Sequence, residues 1–245
     1  MFIKRKTFQY GLVNVKEIIL SPASIDFSHR VKRKNQYYAG LCLDKLFSVD
    51  PDLDTFKCFL NTLSVENKLI YCSLGTLSQI HFSKLEQFYK KLINVFRKRQ
   101  EYLIISFGDF DKLKLGQLPN NVYTFKSVPQ KYLLSKVNMM ITHAGLNSVL
   151  ECIYYEVPML AFPLNHIWDQ NGNAARIVYH GLGMRGSIKN ISEVKLNSLI
   201  SLVIDNSDFK KNIKRMRHNF EHDTTNVDIT NLIVETFKEF KNECR

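Results

Sequence analysis

The sequence lacks the features that mark membrane-spanning proteins and disulfide-stabilised proteins. None of its apolar runs reaches the roughly 18 residues that suggest a membrane-spanning helix. Its five cysteines are scattered and form no CxxC pair, so neither a disulfide framework nor a zinc site is indicated. The basic N-terminal stretch has no uninterrupted apolar core and no small-residue cleavage site. We therefore expect a protein of the reducing cytoplasm.

Acidic residues are fewer than basic ones, and this difference favours anionic partners. The 245 residues include 34 Lys and Arg against 23 Asp and Glu, which gives a formal net charge of +11. One basic cluster, Lys210 to Arg217, lies on a predicted helix whose apolar residues share one face, as in an ordinary surface helix. Peripheral contact with a membrane surface is the alternative. Nucleic acid is not expected, because no aromatic-rich RNA motif or zinc finger accompanies the charge.

Short apolar runs alternate with helical patterns from Lys68 onward, in a chain with 45% hydrophobic and 23% charged residues. The predicted strands are 69–72, 102–106, 122–125, 139–141, 158–162 and 184–188, and the predicted helices are about 83–99, 130–136, 168–180 and much of 193–243. This alternation predicts an α/β fold, a Rossmann-like parallel sheet with helices on both faces. Before it, residues 17–20 predict a short strand, and residues 21–55 predict an extended linker with a helix start near 49–51.

The stretch from Asn138 to Glu151 carries the most chemistry. A buried strand is predicted to break at His143, and a helix is predicted to begin near Gly145. The N-terminus of such a helix attracts an anion, and a glycine there lets the anion approach the backbone closely. Asn147 and Ser148 add donors in the first turn of this helix. A carboxylate one turn later, on Glu151, could accept hydrogen bonds from a neighbouring sugar hydroxyl, so together these groups suggest a nucleotide site.

Each of these residues also has a purely structural interpretation. A lone His at the end of a strand is more often a hydrogen-bonded structural residue. An Asn-Ser pair at a helix start is usually a cap, and a Glu on a helix is usually solvated. Their occurrence within one turn and the helix that follows it favours the functional interpretation.

The segment from Gly181 to Gly186 matches the G-x-G-x-x-G dinucleotide fingerprint letter for letter. That fingerprint binds pyrophosphate only where a strand ends and a helix begins. Here the glycines follow a predicted helix and precede a predicted strand. We therefore interpret Gly181 as a helix C-terminal residue and do not expect a dehydrogenase.

Four turns follow predicted strands and would lie at the same end of the sheet. The first three turns have the sequences SLGT at 73–76, VPQ at 128–130 and THAGLNSVLE at 142–151. The fourth turn connects VPMLAFP at 157–163 to DQNGNAARI at 169–177. In this order they resemble the C-terminal, nucleotide-sugar-binding half of the UDP-glycosyltransferases, which include bacterial macrolide- and carotenoid-glycosylating enzymes. The resemblance covers roughly residues 15–222. It implies a Rossmann-like domain that forms one half of a GT-B fold.

The resemblance also implies a role for each matched residue. The loop with Ser73, Gly75 and Thr76 would face the diphosphate, and the backbone around Val128 and Gln130 would bind the base edge. His143, Gly145, Asn147 and Ser148 would hold the diphosphate, with Glu151 on the ribose hydroxyls. Asp169 and Gln170 would bind the donor sugar. The family's chemistry implies no cofactor and no metal, since the nucleotide-sugar, a UDP-sugar above all, is the donor substrate.

The sequence departs from the family pattern at two positions. Ser127 stands where the family usually has a Trp that stacks on the base, which weakens the assignment of uracil. The loop between Pro163 and Asp169 is longer than usual, with Trp168, the only tryptophan, just before Asp169. The identity of the sugar therefore does not carry over from the resemblance.

The resemblance divides the chain into three parts. Residues 1–55 would be the end of an acceptor-binding domain and the interdomain linker, 56–222 the nucleotide-sugar domain, and 223–245 a helix that packs on the acceptor domain. We expect the acceptor domain and its catalytic base to lie on another chain. This chain would then be the donor-binding half of an inverting hexosyltransferase with an unknown acceptor, inactive alone. The alternatives are a catalytically inactive nucleotide-binding remnant and a GT-B nucleotide-sugar epimerase.

Overall fold

The computed structural model describes residues 16–28, 34–41, 52–75, 82–108, 115–164, 169–223 and 229–243. Near its start, β1 (Glu17–Ile19) and β2 (Gln36–Tyr38) form a small parallel sheet with a 3-10 turn at Ala23–Ile25 between them. The first strand was predicted. The second was not, because its three residues, Gln-Tyr-Tyr, are too few to show a period within a basic, polar segment.

Six parallel strands form the main sheet. They are β3 (Leu69–Ser73), β4 (Tyr102–Ser106), β5 (Val122–Phe125), β6 (Met139–Thr142), β7 (Met159–Ala161) and β8 (Gly183–Arg185), in the spatial order β5-β4-β3-β6-β7-β8. All four residues of β6 and all three of β7 are buried, as expected for strands covered on both faces. The predicted α/β fold is confirmed.

Helices cover both faces of this sheet. They are α1 (Leu53–Asn61), α2 (Phe82–Phe96), α3 (Gln130–Leu134), α4 (Leu146–Tyr154), α5 (Gln170–Tyr179), α6 (Glu193–Asp205), α7 (Ser207–His222) and α8 (Ile229–Glu243). Alternate residues of β3 serve the two cores: Ile70 and Cys72 pack with α2 and α6, whereas Tyr71 belongs to the core that includes α3, α4 and α5.

The sheet order reverses between β3 and β6. From β3 the chain continues outward to β4 and β5, and it then returns to place β6 on the other side of β3. Ser73 and Thr142 are register partners at the carboxyl ends of the two strands. A crevice outside such a reversal is where open α/β sheets bind ligands.

The two helices predicted from amphipathic patterns show the expected exposure. The basic helix α7 buries Ile213, Met216 and Phe220 on one face. On α8, Leu232 is buried, whereas Ile233 and Phe237 are 54% and 60% exposed, so the apolar face of this helix is partly exposed. No helix in the described ranges is both long and apolar enough to cross a bilayer. The predicted domain boundaries stay predictions.

The G-x-G-x-x-G segment lies where a helix ends and a strand begins, as predicted. Gly181 follows α5 with a positive φ of +62°, which ends the helix. A side chain at Gly183 would clash with the Met159 carbonyl oxygen of the neighbouring strand, and one at Gly186 would clash with the Phe162 ring. These last two glycines therefore serve close packing against β7 and the residue that follows it.

Candidate functional site

The candidate site lies at the switch point, where the loops after β3 and β6 meet. The loop after β3 contains Gly75, and the loop after β6 contains His143, Ala144 and Gly145. Because β3 and β6 are adjacent and parallel, residues separated by about 70 positions come into contact. Thr76 lies outside the described residues.

The imidazole of His143 is enclosed between two glycines. A Cβ atom built on Gly75 would lie 2.8 Å from its Cε1 atom, and one built on Gly145 would lie 2.7 Å from its Nε2 atom. Gly75 has a φ of +79°, so that position favours glycine on two grounds. Gly145 has a φ of −63°, which any residue can adopt, so proximity to His143 is what excludes a side chain there.

One ring nitrogen of His143 lacks a partner among the described residues. Its Nδ1 atom is buried and has no hydrogen-bond partner within the described part of the chain. Burial lowers the pKa of His143 below its ordinary value, and the nearby Asp169 carboxylate and Ser73 backbone oppose this effect. The ring is consequently neutral at pH 7 and can donate one N–H to a ligand.

The turn between β6 and α4 holds Ala144 in a left-handed conformation, with φ of 65°. The buried Thr142 hydroxyl accepts a hydrogen bond from the Ala144 amide at 3.2 Å, and the Asn173 side chain donates to the Ala144 carbonyl at 3.0 Å. A non-glycine residue with positive φ costs energy and is common at ligand sites. Here the contacts from Thr142 and Asn173 hold it in place.

The helix α4 begins at Leu146 without a side-chain cap. Its N-cap residue is Gly145, so Asn147 and Ser148 lie inside the first turn, and the interpretation of this pair as a cap is wrong. Asn147 is exposed and Ser148 is half-buried. The N–H groups of this first turn therefore point out of the helix without a capping side chain, toward the end of the sheet at which the strands terminate.

A chain of polar contacts links Asp169 to this turn. The side-chain amide of Asn173 donates one hydrogen bond to the Ala144 carbonyl and another, at 2.8 Å, to the Asp169 carboxylate. Arg176 donates to the Asn173 side-chain oxygen and forms an ion pair at 3.0 Å with Asp26, whose side chain is 7% exposed. Asp26 belongs to the segment between β1 and β2, so that segment is connected to the predicted sugar-binding residues.

The remaining predicted residues fall into two groups around this turn. The Gln170 side chain accepts a hydrogen bond at 2.8 Å from the Leu164 amide, across the loop that contains Trp168, which itself lies outside the described residues. On the other side, Gln130 donates to Glu151 at 2.6 Å. Val128, just before Gln130, is 9% exposed and packs in the core, and Ser127 beside it is exposed.

Two residues that contact the site were not predicted from the sequence. Tyr71 donates to Gln130 at 3.1 Å, and Asn173 supports both Ala144 and Asp169. Sequence signals existed for both: Tyr71 carries the only polar side-chain group of the Leu69–Cys72 run other than the Cys72 thiol, and Asn173 follows Asp169 by one helical turn. Neither signal identifies the partner atoms.

Other features of the described residues do not indicate a second reaction centre. No group of three His, Cys, Asp or Glu side chains in the described ranges is arranged to hold a metal ion. A groove of about 830 Å³ is lined by residues of α5, β8 and α6, including Tyr179, Met184 and Lys195, and shares no residue with the candidate site. The switch point thus remains the candidate site.

The fold is a Rossmann-like domain of the kind that forms one half of the GT-B glycosyltransferases. The glycosyltransferase of kitacinnamycin is a solved structure of this class; it superposes with a TM-score of 0.73 over 89% of this chain and 54% of its own, at 22% identity. Os79 from O. sativa, solved in complex with UDP, superposes with a TM-score of 0.53 over 61% of this chain and 35% of its own, also at 22% identity.

The chain belongs to the UDP-glycosyltransferases: the family model described as UDP-glucoronosyl and UDP-glucosyl transferase matches residues 3–231. Among its relatives, the zeaxanthin glucosyltransferase of Pantoea ananas is 31% identical over 157 residues, which is 63% of this chain and 35% of the relative. The aligned part of the chain thus corresponds to about a third of the length of that enzyme. The family resemblance predicted from the sequence is confirmed.

Proposed function

We propose that this chain binds the diphosphate and ribose of a UDP-sugar at the switch point and forms the donor side of an inverting hexosyltransferase. The acceptor hydroxyl and the base that takes its proton would come from a second domain. The close approach of Gly75 and Gly145 to His143 supports this proposal, because it places a neutral, enclosed histidine beside an uncapped helix N-terminus. That combination is the observation on which the proposal rests.

The proposed chemistry needs stabilisation of negative charge on the leaving group. The acceptor oxygen forms a bond to the anomeric carbon from one face, while the bond from that carbon to the diphosphate oxygen breaks on the other. The departing diphosphate gains negative charge, and donors aimed at it lower the barrier. The first-turn N–H groups of α4, Asn147, Ser148 and the His143 ring would supply those donors.

The other predicted residues would hold the two ends of the donor. Glu151 would accept from the ribose hydroxyls, and Asp169 with Gln170 would bind the hexosyl hydroxyls. Asp169 is already fixed by Asn173, so its carboxylate would meet the sugar in a set orientation. Thr76 and the Gly75 backbone would face the diphosphate, and the backbone near Val128 and Gln130 would contact the base edge.

Calorimetric titration of the purified chain with UDP, TDP, GDP and UDP-glucose tests this proposal. We expect saturable binding of UDP and UDP-glucose that is lost in His143→Ala. Titrations with TDP and GDP test whether the site selects uracil. This selectivity is open because Ser127 stands where the family usually has a Trp that stacks on the base. Failure of the folded wild-type chain to bind any of the four nucleotides would refute the proposed function.

Three further expectations accompany the proposal. No metal should be required, so UDP binding should be unchanged in the presence of EDTA. We propose a cytoplasmic location. Peripheral membrane contact through basic residues such as those of α7 is the alternative to an ordinary surface helix, and vesicles with acidic lipids test that contact. A metal requirement, or no association with such vesicles at low salt, would contradict the respective expectation.

A further inference from the structure

The structure points to Tyr71 as a positioning residue for ribose recognition, acting through Gln130 on Glu151. This inference rests on the proposed UDP-sugar site and deepens it. Tyr71 lies on β3 beneath the site. Its hydroxyl donates to Gln130, which leads toward Glu151, and its other hydroxyl neighbours are Ser106 and Ser73 at the ends of β4 and β3. The route from Tyr71 to a ribose runs through the side chains of Gln130 and Glu151.

The direction of every hydrogen bond in this chain of contacts is determined by its last member. An ionised Glu151 can only accept, so the Gln130 group that lies 2.6 Å from it must be the amide N–H. The Gln130 oxygen then faces Tyr71, whose hydroxyl must donate to it at 3.1 Å. The Tyr71 oxygen, in turn, can accept from the Ser106 hydroxyl at 3.0 Å. The contacts thus run in one direction from Ser106 to Glu151.

The Tyr71 side chain, at the start of the path to Glu151, is held rigidly. The Tyr71 side chain is 1% exposed in the middle of the sheet and packs in the core beside α3 and α4. Burial raises the pKa of Tyr71 to about 12, against the opposing effect of the Ser106 and Ser73 hydroxyls, so the donor proton is retained throughout the physiological range. A buried donor of this kind holds its acceptor in one orientation.

The hydrogen bond from Gln130 determines which Glu151 oxygen is available to a ligand. Oε2 is occupied by Gln130, and Oε1 has no hydrogen-bond partner within the described ranges. A ribose hydroxyl could therefore donate to Oε1. Without the Tyr71 hydroxyl, the Gln130 amide would be free to rotate and to present its oxygen to the carboxylate. Two acceptors would then face each other, and Glu151 would lose its fixed orientation.

A merely structural role for the Tyr71 hydroxyl makes a different prediction. If it only satisfies a buried polar group, its removal lowers stability and affects all nucleotides alike. If it positions Glu151, its removal weakens only those ligands that carry ribose hydroxyls. The discriminating quantity is therefore the ratio of affinities for UDP and for 2′,3′-dideoxy-UDP, which lacks both hydroxyls.

The experiment measures both affinities by calorimetry in wild type, Tyr71→Phe, Ser106→Ala and the control Tyr89→Phe. Tyr89 is also buried, but it lies on α2 in the opposite core. Circular dichroism establishes that each variant is folded. Ser106→Ala removes only the hydroxyl that donates to Tyr71, and it replaces Tyr71→Phe as the test if that variant does not fold.

We expect wild type to prefer UDP over the dideoxy analogue by roughly tenfold or more. Tyr71→Phe should reduce this preference by about three- to tenfold while leaving the affinity for the analogue unchanged, and Ser106→Ala should reduce it less. Tyr89→Phe should retain the wild-type ratio. An unchanged ratio in folded Tyr71→Phe and Ser106→Ala, or a parallel loss for both ligands, would overturn the inference alone. No binding of either nucleotide by wild type would instead refute the proposed function, and the inference with it.

Discussion

Replacing Gly145 by Ala tests whether the enclosed histidine organises the site. The added Cβ atom would lie 2.7 Å from Nε2 and 3.1 Å from Cε1 of His143, well inside the ordinary contact range of 3.4–4 Å. The ring cannot simply move away, because Gly75 lies against it as well, with a built Cβ 2.8 Å from Cε1. The backbone at Gly145 needs no change, since φ of −63° and ψ of 141° suit alanine.

The size of the effect follows from two opposing contributions. Overpacking a closed site costs about 1–3 kcal/mol. Replacing a glycine where the backbone is compatible restores about 0.4–1 kcal/mol by restricting the unfolded chain. The free energy of unfolding should therefore fall by about 1–2 kcal/mol on balance. UDP binding should weaken as well, because the displaced ring and the new methyl group occupy the approach to the first turn of α4.

Urea denaturation followed by circular dichroism measures the stability, and calorimetry measures UDP binding. Gly172→Ala on α5 is the matched control, because its Cβ would meet one side-chain atom only, Nη1 of Arg176 at 3.2 Å, which must shift by a few tenths of an ångström. A helical glycine replaced in this way should gain about 0.5–1 kcal/mol of stability. If Gly145→Ala is as stable as Gly172→Ala and binds UDP like wild type, the inferred enclosure of His143 is refuted.

Two further predictions concern stability. Because burial lowers the pKa of His143 below 6.5, the unfolded chain takes up the proton first, so this residue's contribution to stability is complete above pH 6.5 and falls as the pH drops below it. The urea midpoint of His143→Gln should therefore fall less between pH 7.5 and 5.5 than that of wild type. Equal falls of the midpoint in the two proteins would contradict this prediction. Asp26→Ala leaves the Arg176 guanidinium, which is 20% exposed, without its ion-pair partner, so the free energy of unfolding should fall by about 3 kcal/mol. Asp205→Ala removes one partner of the exposed pair with Lys68 and should change the free energy of unfolding little. Equal urea midpoints for the two Asp variants would contradict the second prediction.

Much of the fold was predictable because local patterns determine it. The strands 102–106 and 122–125 were predicted with the bounds that the structure shows, since short apolar runs between turn residues have few alternative structures. Parallel strands then require their carboxyl ends to lie at one edge. The sequence therefore brought the four predicted turns to the same edge of the sheet without any tertiary information.

The sequence did not predict which side chains contact each other across the site. Gln130 and Glu151 are 21 residues apart, and Tyr71 is 59 residues before Gln130. Their meeting depends on the side of β3 on which β6 lies. A strand's own residues do not encode that order, because it emerges from the packing of all the helices on both faces.

The sequence by itself thus determined the elements, the end of the sheet that carries the site, and the residue types gathered there. The tertiary structure decided that Gly145 makes room for a histidine ring, that Ala144 has a positive φ, and that Tyr71 acts on Glu151 through Gln130. The physical reason is the range of the interactions. Periodicity and turn chemistry act over a few residues, whereas these contacts exist only once distant strands are paired and packed.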